Sequence, residues 1–288
     1  MEKKFQYGGQ ALIEGVMMRG PSKVAIAVRT PDGEIVVETE ENEMWTKKYK
    51  VLGWPFFRGP VVLIDSLIIG FRALNRSAVL ATIEEEEQLS AWDVIMASVL
   101  AIIIGVGLFI ALPTGVVHFT KQYIGGVMAQ NAIEGAIRIG VFILYILAVS
   151  RMDEIQRVFQ YHGAEHKAVF NLESGQPLSV ENSRLYSALH PRCGTSFLLI
   201  VLVLSIVLFV LLGEGSLIWR IGSRLLMFPV VAGIGYEFIK FTGAHCDKLW
   251  ARILMAPGLW LQNLTTKTPD DTQIEVAIKA LEAVIEPS

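Results

Sequence analysis

The stretch VIMASVLAIIIGVGLFIAL, residues 94–112, runs for 19 residues without a charge. About 20 apolar residues in a helix cross a hydrocarbon core of roughly 30 Å, so this run reads as a membrane span that ends at Pro113. Residues 195–213, TSFLLIVLVLSIVLFVLLG, are again 19 uncharged residues. In lipid their backbone polar groups are satisfied only within a helix. Two weaker spans accompany them. Residues 128–150 carry Glu134 and Arg138, four apart, a spacing that pairs opposite charges on one helix face. Residues 225–241 contain Pro229, Gly233 and Gly235 and end at Glu237 and Lys240, which predicts a kinked helix facing protein or water on one side.

The whole chain agrees with these four runs. Of 288 residues, 52% are hydrophobic and 18% charged, against about 25% charged in soluble domains, and the mean hydropathy is +0.47. The expected fold is mainly α: a polytopic membrane bundle of about four transmembrane helices, with interfacial amphipathic helices and a small N-terminal β-hairpin on the cytoplasmic side. A net charge of −3 supplies no basic footprint, so no nucleic-acid partner is expected. Two cysteines are too few for a disulfide framework. The basic start lacks the apolar stretch of a removable signal peptide.

Four parts follow. Residues 1–58 form an N-terminal segment in which 24–30 and 34–40 are β-rich runs separated by Pro31-Asp32-Gly33, the chemistry of a hairpin turn. Residues 59–90 hold an amphipathic helix over 61–81, which lies on the interface or dips into the bilayer, followed by Glu84–Glu87 as a solvated linker. Residues 91–247 hold the four spans and the loop 151–194. Residues 248–288 hold an aromatic interfacial stretch over 249–261 and a helix opened by Pro269-Asp270-Asp271-Thr272, with Ile274, Ile278, Leu281 and Ile285 on one face. Lysine and arginine number 11 before the first span, five in 151–194 and five from Lys240 onward, against one and two in the opposite loops. The positive-inside rule then places both termini and the histidine-rich loop in the cytoplasm of a multi-pass cell-membrane protein.

Chemistry concentrates on that side. In Tyr161-His162-Gly163-Ala164-Glu165-His166-Lys167, His162 and His166 stand at i and i+4 and present both imidazoles on one helix face to one metal. Glu165 beside them is the expected catalytic base. The spelling His-x-x-Glu-His is that of the inverted zincins. His190 and Cys193 precede the third span, and His245, Cys246 and Asp247 follow the fourth. His162, His166, His190, Cys193 and His245 form the expected ligand pool, with Cys246, Asp247 and Glu237 as further candidates. Imidazole, thiolate and carboxylate together suit a divalent transition metal, zinc first. The glycine-rich start, residues 7–21, reads as a loop capping the bundle, from which Glu14 and Arg19 could line a cleft. Glu134 with Arg138 reads as a structural pair, and Arg220 and Arg224 as outer-interface side chains that snorkel.

The segments GGQALIEGVMMRGP, YHGAEHK, HPRCGTSF, AHCDK and QNLTTKTPDDTQIEVAIKAL together resemble the YqhQ family of bacterial membrane proteins over nearly the whole chain. The resemblance implies a domain of unknown function carrying the label of a predicted metal-dependent enzyme, with no substrate attached. The matching positions are His162, Glu165, His166, His190, Cys193, His245, Cys246 and Asp247.

The leading expectation is a metal-dependent enzyme of hydrolase type at the bilayer surface. Its partners would be the lipid bilayer and a lipid-linked or membrane-protein substrate, and an oligomer is left open. The alternatives are a membrane scaffold or regulator with a structural metal, and a small transporter using Glu134, Arg138 and Glu237 as path residues.

Overall fold

The computed structural model describes residues 7–82, 91–210, 212 and 215–285; the acidic run Glu84–Glu87 lies outside them. The architecture is mainly helical, with one small antiparallel sheet at the N-terminal end.

That sheet is larger than a hairpin. Strands β1 (Gly8–Leu12), β2 (Gly15–Arg19), β3 (Lys23–Arg29) and β4 (Ile35–Glu41) form a meander in sequence order. The expected hairpin is β3–β4, turning at Gly33, whose φ of 87° suits glycine. The glycine-rich start, expected as a loop, is instead β1–β2, joined through Ile13 and Glu14. Both faces of β2 are covered, so its Val16, Met17 and Met18 form an unbroken apolar run without the alternation that marks a half-exposed strand.

Helix α1 (Trp45–Lys48) leads to α2 (Arg58–Leu80), which covers one face of the sheet through Ala73 against Leu12, Met17 and Val24. The other face packs on α6 (Asp153–Ser174) and α11 (Asp271–Glu282). There Val16, Met18, Ala25 and Ala27 meet Tyr161, Ala164, Ile274 and Ile278. A capping box between Asp270 and Gln273 starts α11, satisfying two of the N–H groups that a helix start leaves without partners.

Among the described residues, three helices are long and apolar enough to cross a membrane: Ile95–Tyr123, α5 (Gly126–Val149) and α9 (Leu217–Gly243). A fourth, α8 (Gly194–Val210), is apolar over 17 residues. Pro113 does not end the first of these. Helix α3 (Ala91–Val106) passes through a π-helical turn at Gly107–Ala111 into α4 (Leu112–Thr120), where the proline occupies the first turn. The wider turn accommodates its missing N–H. Between α6 and α8 lies α7 (Val180–Arg184), and after α9 comes α10 (Leu249–Thr265), which packs along α8 and leaves Trp250 and Trp260 exposed.

The bundle closes on Glu134. Its carboxylate accepts from Arg138 Nη2 at 2.8 Å, from Arg224 Nε at 2.6 Å and Nη2 at 2.9 Å, and from Thr114 Oγ1 at 3.0 Å. Arg138 also donates from Nε to the Phe109 carbonyl at 2.7 Å. Arg220 reaches Gln130 at 3.0 Å. Arg220 and Arg224 are thus buried and turned inward, in place of the expected snorkelling, because Gln130 and Glu134 offer acceptors that lipid does not.

Glu134→Gln would leave two buried guanidinium groups, Arg138 and Arg224, without a carboxylate. Breaking a buried pair by removing one partner costs about 3–5 kcal/mol. The expected outcome is a marked drop in the thermal unfolding midpoint in detergent, with Glu38→Gln, which removes an exposed partner of Arg76, as a control that leaves it nearly unchanged.

Candidate metal centre

The i, i+4 spacing on α6 brings His162 and His166 side by side, with ring centroids 4.5 Å apart. Their Nδ1 atoms face backbone carbonyls: Thr265, at 2.8 Å, for His162, and Ala188 for His166. A carbonyl oxygen only accepts, so each Nδ1 carries the hydrogen and each neutral ring keeps its lone pair on Nε2. This is the arrangement by which outer partners orient metal-binding imidazoles.

Cys193, the residue before α8, completes the group. Its Sγ lies 3.2 Å from His162 Nε2, and one ligand atom from each of His162, His166 and Cys193 falls within 4.8 Å of the others. Tetrahedral zinc with bonds of about 2.0–2.3 Å separates its ligand atoms by roughly 3.3–3.7 Å, so small side-chain shifts bring the trio onto one ion. The thiol also contacts the Thr195 hydroxyl at 3.1 Å.

Glu165 is buried beside the trio. Its Oε1 accepts from the Gly9 amide at 2.8 Å, and its Oε2 lies 3.4 Å from His166 Nε2. Strand β1 therefore holds the carboxylate against the histidines. His190 is also buried: Gln262 bonds its backbone N–H and C=O at 2.8 and 2.9 Å. Its Nδ1 accepts from the Arg192 amide at 3.3 Å, and its Nε2 has no hydrogen-bond partner. Burial pushes the His190 imidazole below its usual range, opposed by the nearby Glu165 charge, and favours the neutral ring.

Of the remaining candidates, Arg19 lines a cavity shared with the trio and the others stand apart from it. His245 is exposed, bonded to the Phe241 carbonyl and set against Trp250. Cys246 is exposed, and the exposed Asp247 pairs with Lys248. Glu237 is engaged by Arg58 at 2.6 and 2.5 Å. Glu14 pairs with Arg157, and Arg19 with Asp65. The supporting residues that sequence reasoning passed over act through backbone atoms: Gly9, Ala188 and Thr265. Lys167, adjacent to His166, donates to the Arg184 and Tyr186 carbonyls and fixes the chain that presents Ala188.

Gly163 sets the approach of this outer chain. A Cβ there would lie 2.2 Å from the Lys267 carbonyl oxygen. Gly163→Ala should displace residues 265–267, release His162 Nδ1 and weaken metal affinity about 10–100-fold, the range for loss of an outer partner. Competition with a chromophoric chelator would read this, with Gly140→Ala, where the new Cβ meets open space, as the control.

A family model described as "Protein of unknown function (DUF1385)" matches residues 54–287. The chain is 34% identical over 292 residues to "Uncharacterized protein YqhQ" of Bacillus subtilis (strain 168), covering 97% of this chain and 92% of that protein. No solved structure matches.

Proposed function

We propose that this chain, which belongs to the YqhQ family of proteins of unknown function (DUF1385), is a metal-dependent membrane enzyme of hydrolase type with its site at the cytoplasmic bilayer surface. The observation that carries the reading is the Nδ1 bonding of His162 and His166 to carbonyls, with His162 Nε2 at 3.2 Å from Cys193 Sγ and a ligand atom of His166 within 4.8 Å of both.

A divalent transition metal, zinc by its donor set, would polarise a substrate carbonyl or phosphoryl group and acidify a bound water. His162, His166 and Cys193 would hold it, leaving a fourth position open as catalytic zinc sites do. Glu165, fixed by Gly9, would take the proton from the attacking water. His190, buried and neutral, would present its Nε2–H as a donor to the substrate. The basic bias of residues 1–76, 151–194 and the tail supports a cytoplasmic orientation, and placement before α8 supports a site near the bilayer surface.

A scaffold held by a structural metal would need a fourth protein ligand. Glu165 already spends one oxygen on Gly9 and faces a cavity, which favours an open site. The four donors on Glu134 favour a structural lock over a transport path.

Elemental analysis of detergent-purified protein tests the reading. About one equivalent of transition metal is expected in the wild type, and loss in both His162→Ala and His166→Ala. Glu165→Gln should retain the metal while lowering metal-dependent cleavage of p-nitrophenyl phosphate or acetate about 10²–10⁴-fold, the usual contribution of a general base. Absence of metal after reconstitution would overturn the proposal.

A further inference from the structure

A cavity of about 570 Å³ opens beside the trio. The chain as a whole carries −3, yet five cations line this cavity: Arg19, Lys47, Arg58, Arg192 and Lys240. Among the described residues, Glu165 is the one acid on its wall. These cations come from five separated segments, so their convergence belongs to the fold and not to a local charge run. Clefts lined by one sign of charge focus the field and concentrate ligands of the opposite sign.

Three of the five are held from behind. Asp65 fixes Arg19, Glu237 fixes Arg58 and Glu173 fixes Arg192, and none of these carboxylates lines the cavity. Two buried groups of lining residues make no hydrogen bond: Arg19 Nε, and His190 Nε2, whose nearest acid, Glu173, stands 3.5 Å away. Arg19 Nε–H is a donor, and so is His190 Nε2–H, because His190 Nδ1 accepts from Arg192. A buried donor without a partner is costly; an anionic oxygen in the cavity would satisfy Arg19 Nε and give His190 Nε2 a closer acceptor than Glu173.

Apolar side chains share the wall with neutral polar ones such as Gln10, Thr46 and Ser66: Met17, Met44, Val62, Ile69 and Val169. Val62 and Ile69 stand on α2, whose outer face exposes Ile64, Leu67, Ile68 and Phe71, after a connection that exposes Trp54, Phe56 and Phe57. An apolar face of this kind, flanked by Lys47, Lys48 and Lys50, fits the interfacial layer of a bilayer. The cavity therefore lies between the trio and a helix with an exposed apolar face.

We propose that the cavity binds a phosphate-headed amphiphile, its phosphate among the five cations and its hydrocarbon chain leaving along α2. The proposal names the substrate class of the enzyme reading above and rests on it for the reaction, while the cationic wall binds phosphate without the metal.

The test measures binding to the full-length protein in dodecyl maltoside by native mass spectrometry, with dihexanoyl phosphatidic acid, dihexanoyl phosphatidylcholine and inorganic phosphate as probes and metal content determined on the same preparations. Phosphatidic acid should bind at least tenfold more tightly than either other probe. Lys47→Gln combined with Lys240→Gln should weaken it at least fivefold and leave phosphatidylcholine unchanged, and Arg192→Gln should do the same by itself. Equal binding of the two lipids, or indifference of both variants, overturns the proposal. Inorganic phosphate binding as tightly as phosphatidic acid overturns the amphiphile and leaves a soluble phosphate ligand. Wild-type protein that takes up no metal on reconstitution yet keeps the lipid preference overturns the metalloenzyme reading and upholds this one.

Discussion

The contact on which the rest depends is the close passage of residues 265–267 across α6. Lys267 donates its amide to the Phe159 carbonyl at 2.9 Å, and its own carbonyl lies where a side chain at Gly163 would stand. One helical turn is thereby tied to the end of α10, a helix that runs with the apolar bundle, and to the start of α11, which closes the sheet. Thr265, within this passage, orients His162. A shift here would loosen the bundle, the sheet and the histidine pair together.

The parts of the fold legible in the sequence are those where one physical rule acts alone. Long uncharged runs, the Pro-Asp-Gly turn and the acid-capped tail needed nothing from distant residues. Reading failed where two constraints overlap. Strand β2 is buried on both faces, so Val16, Met17 and Met18 carry no period of two. Arg220 and Arg224 stand near a span's end, where snorkelling is the local expectation, yet their acceptors Gln130 and Glu134 lie about 90 positions away in sequence.

The candidate site shows the same division. His162 and His166 were legible because i, i+4 spacing sets a helix face. That Cys193 joins them while His245 and Cys246 do not was illegible, since proximity to a membrane face does not fix which way a turn points. The carbonyls of Ala188 and Thr265 leave no trace in residue identity, because any residue offers the same atom. Gly9 and Gly163 leave a partial one: each is a glycine where another chain comes close.

Pro113 has a consequence for biogenesis. Proline has no hydrogen to donate, the turn before it is π-helical, and within that turn the Phe109 carbonyl accepts from Arg138 Nε of α5. A helix missing one internal bond and a helix carrying a buried cation are each costly alone in hydrocarbon. Joined, the carbonyl of one gives the cation of the other an acceptor beside Glu134. For two helices long and apolar enough to cross a bilayer, the least costly route in would be as a hairpin, with the 95–123 helix and α5 already paired and the rotation of one about the other fixed.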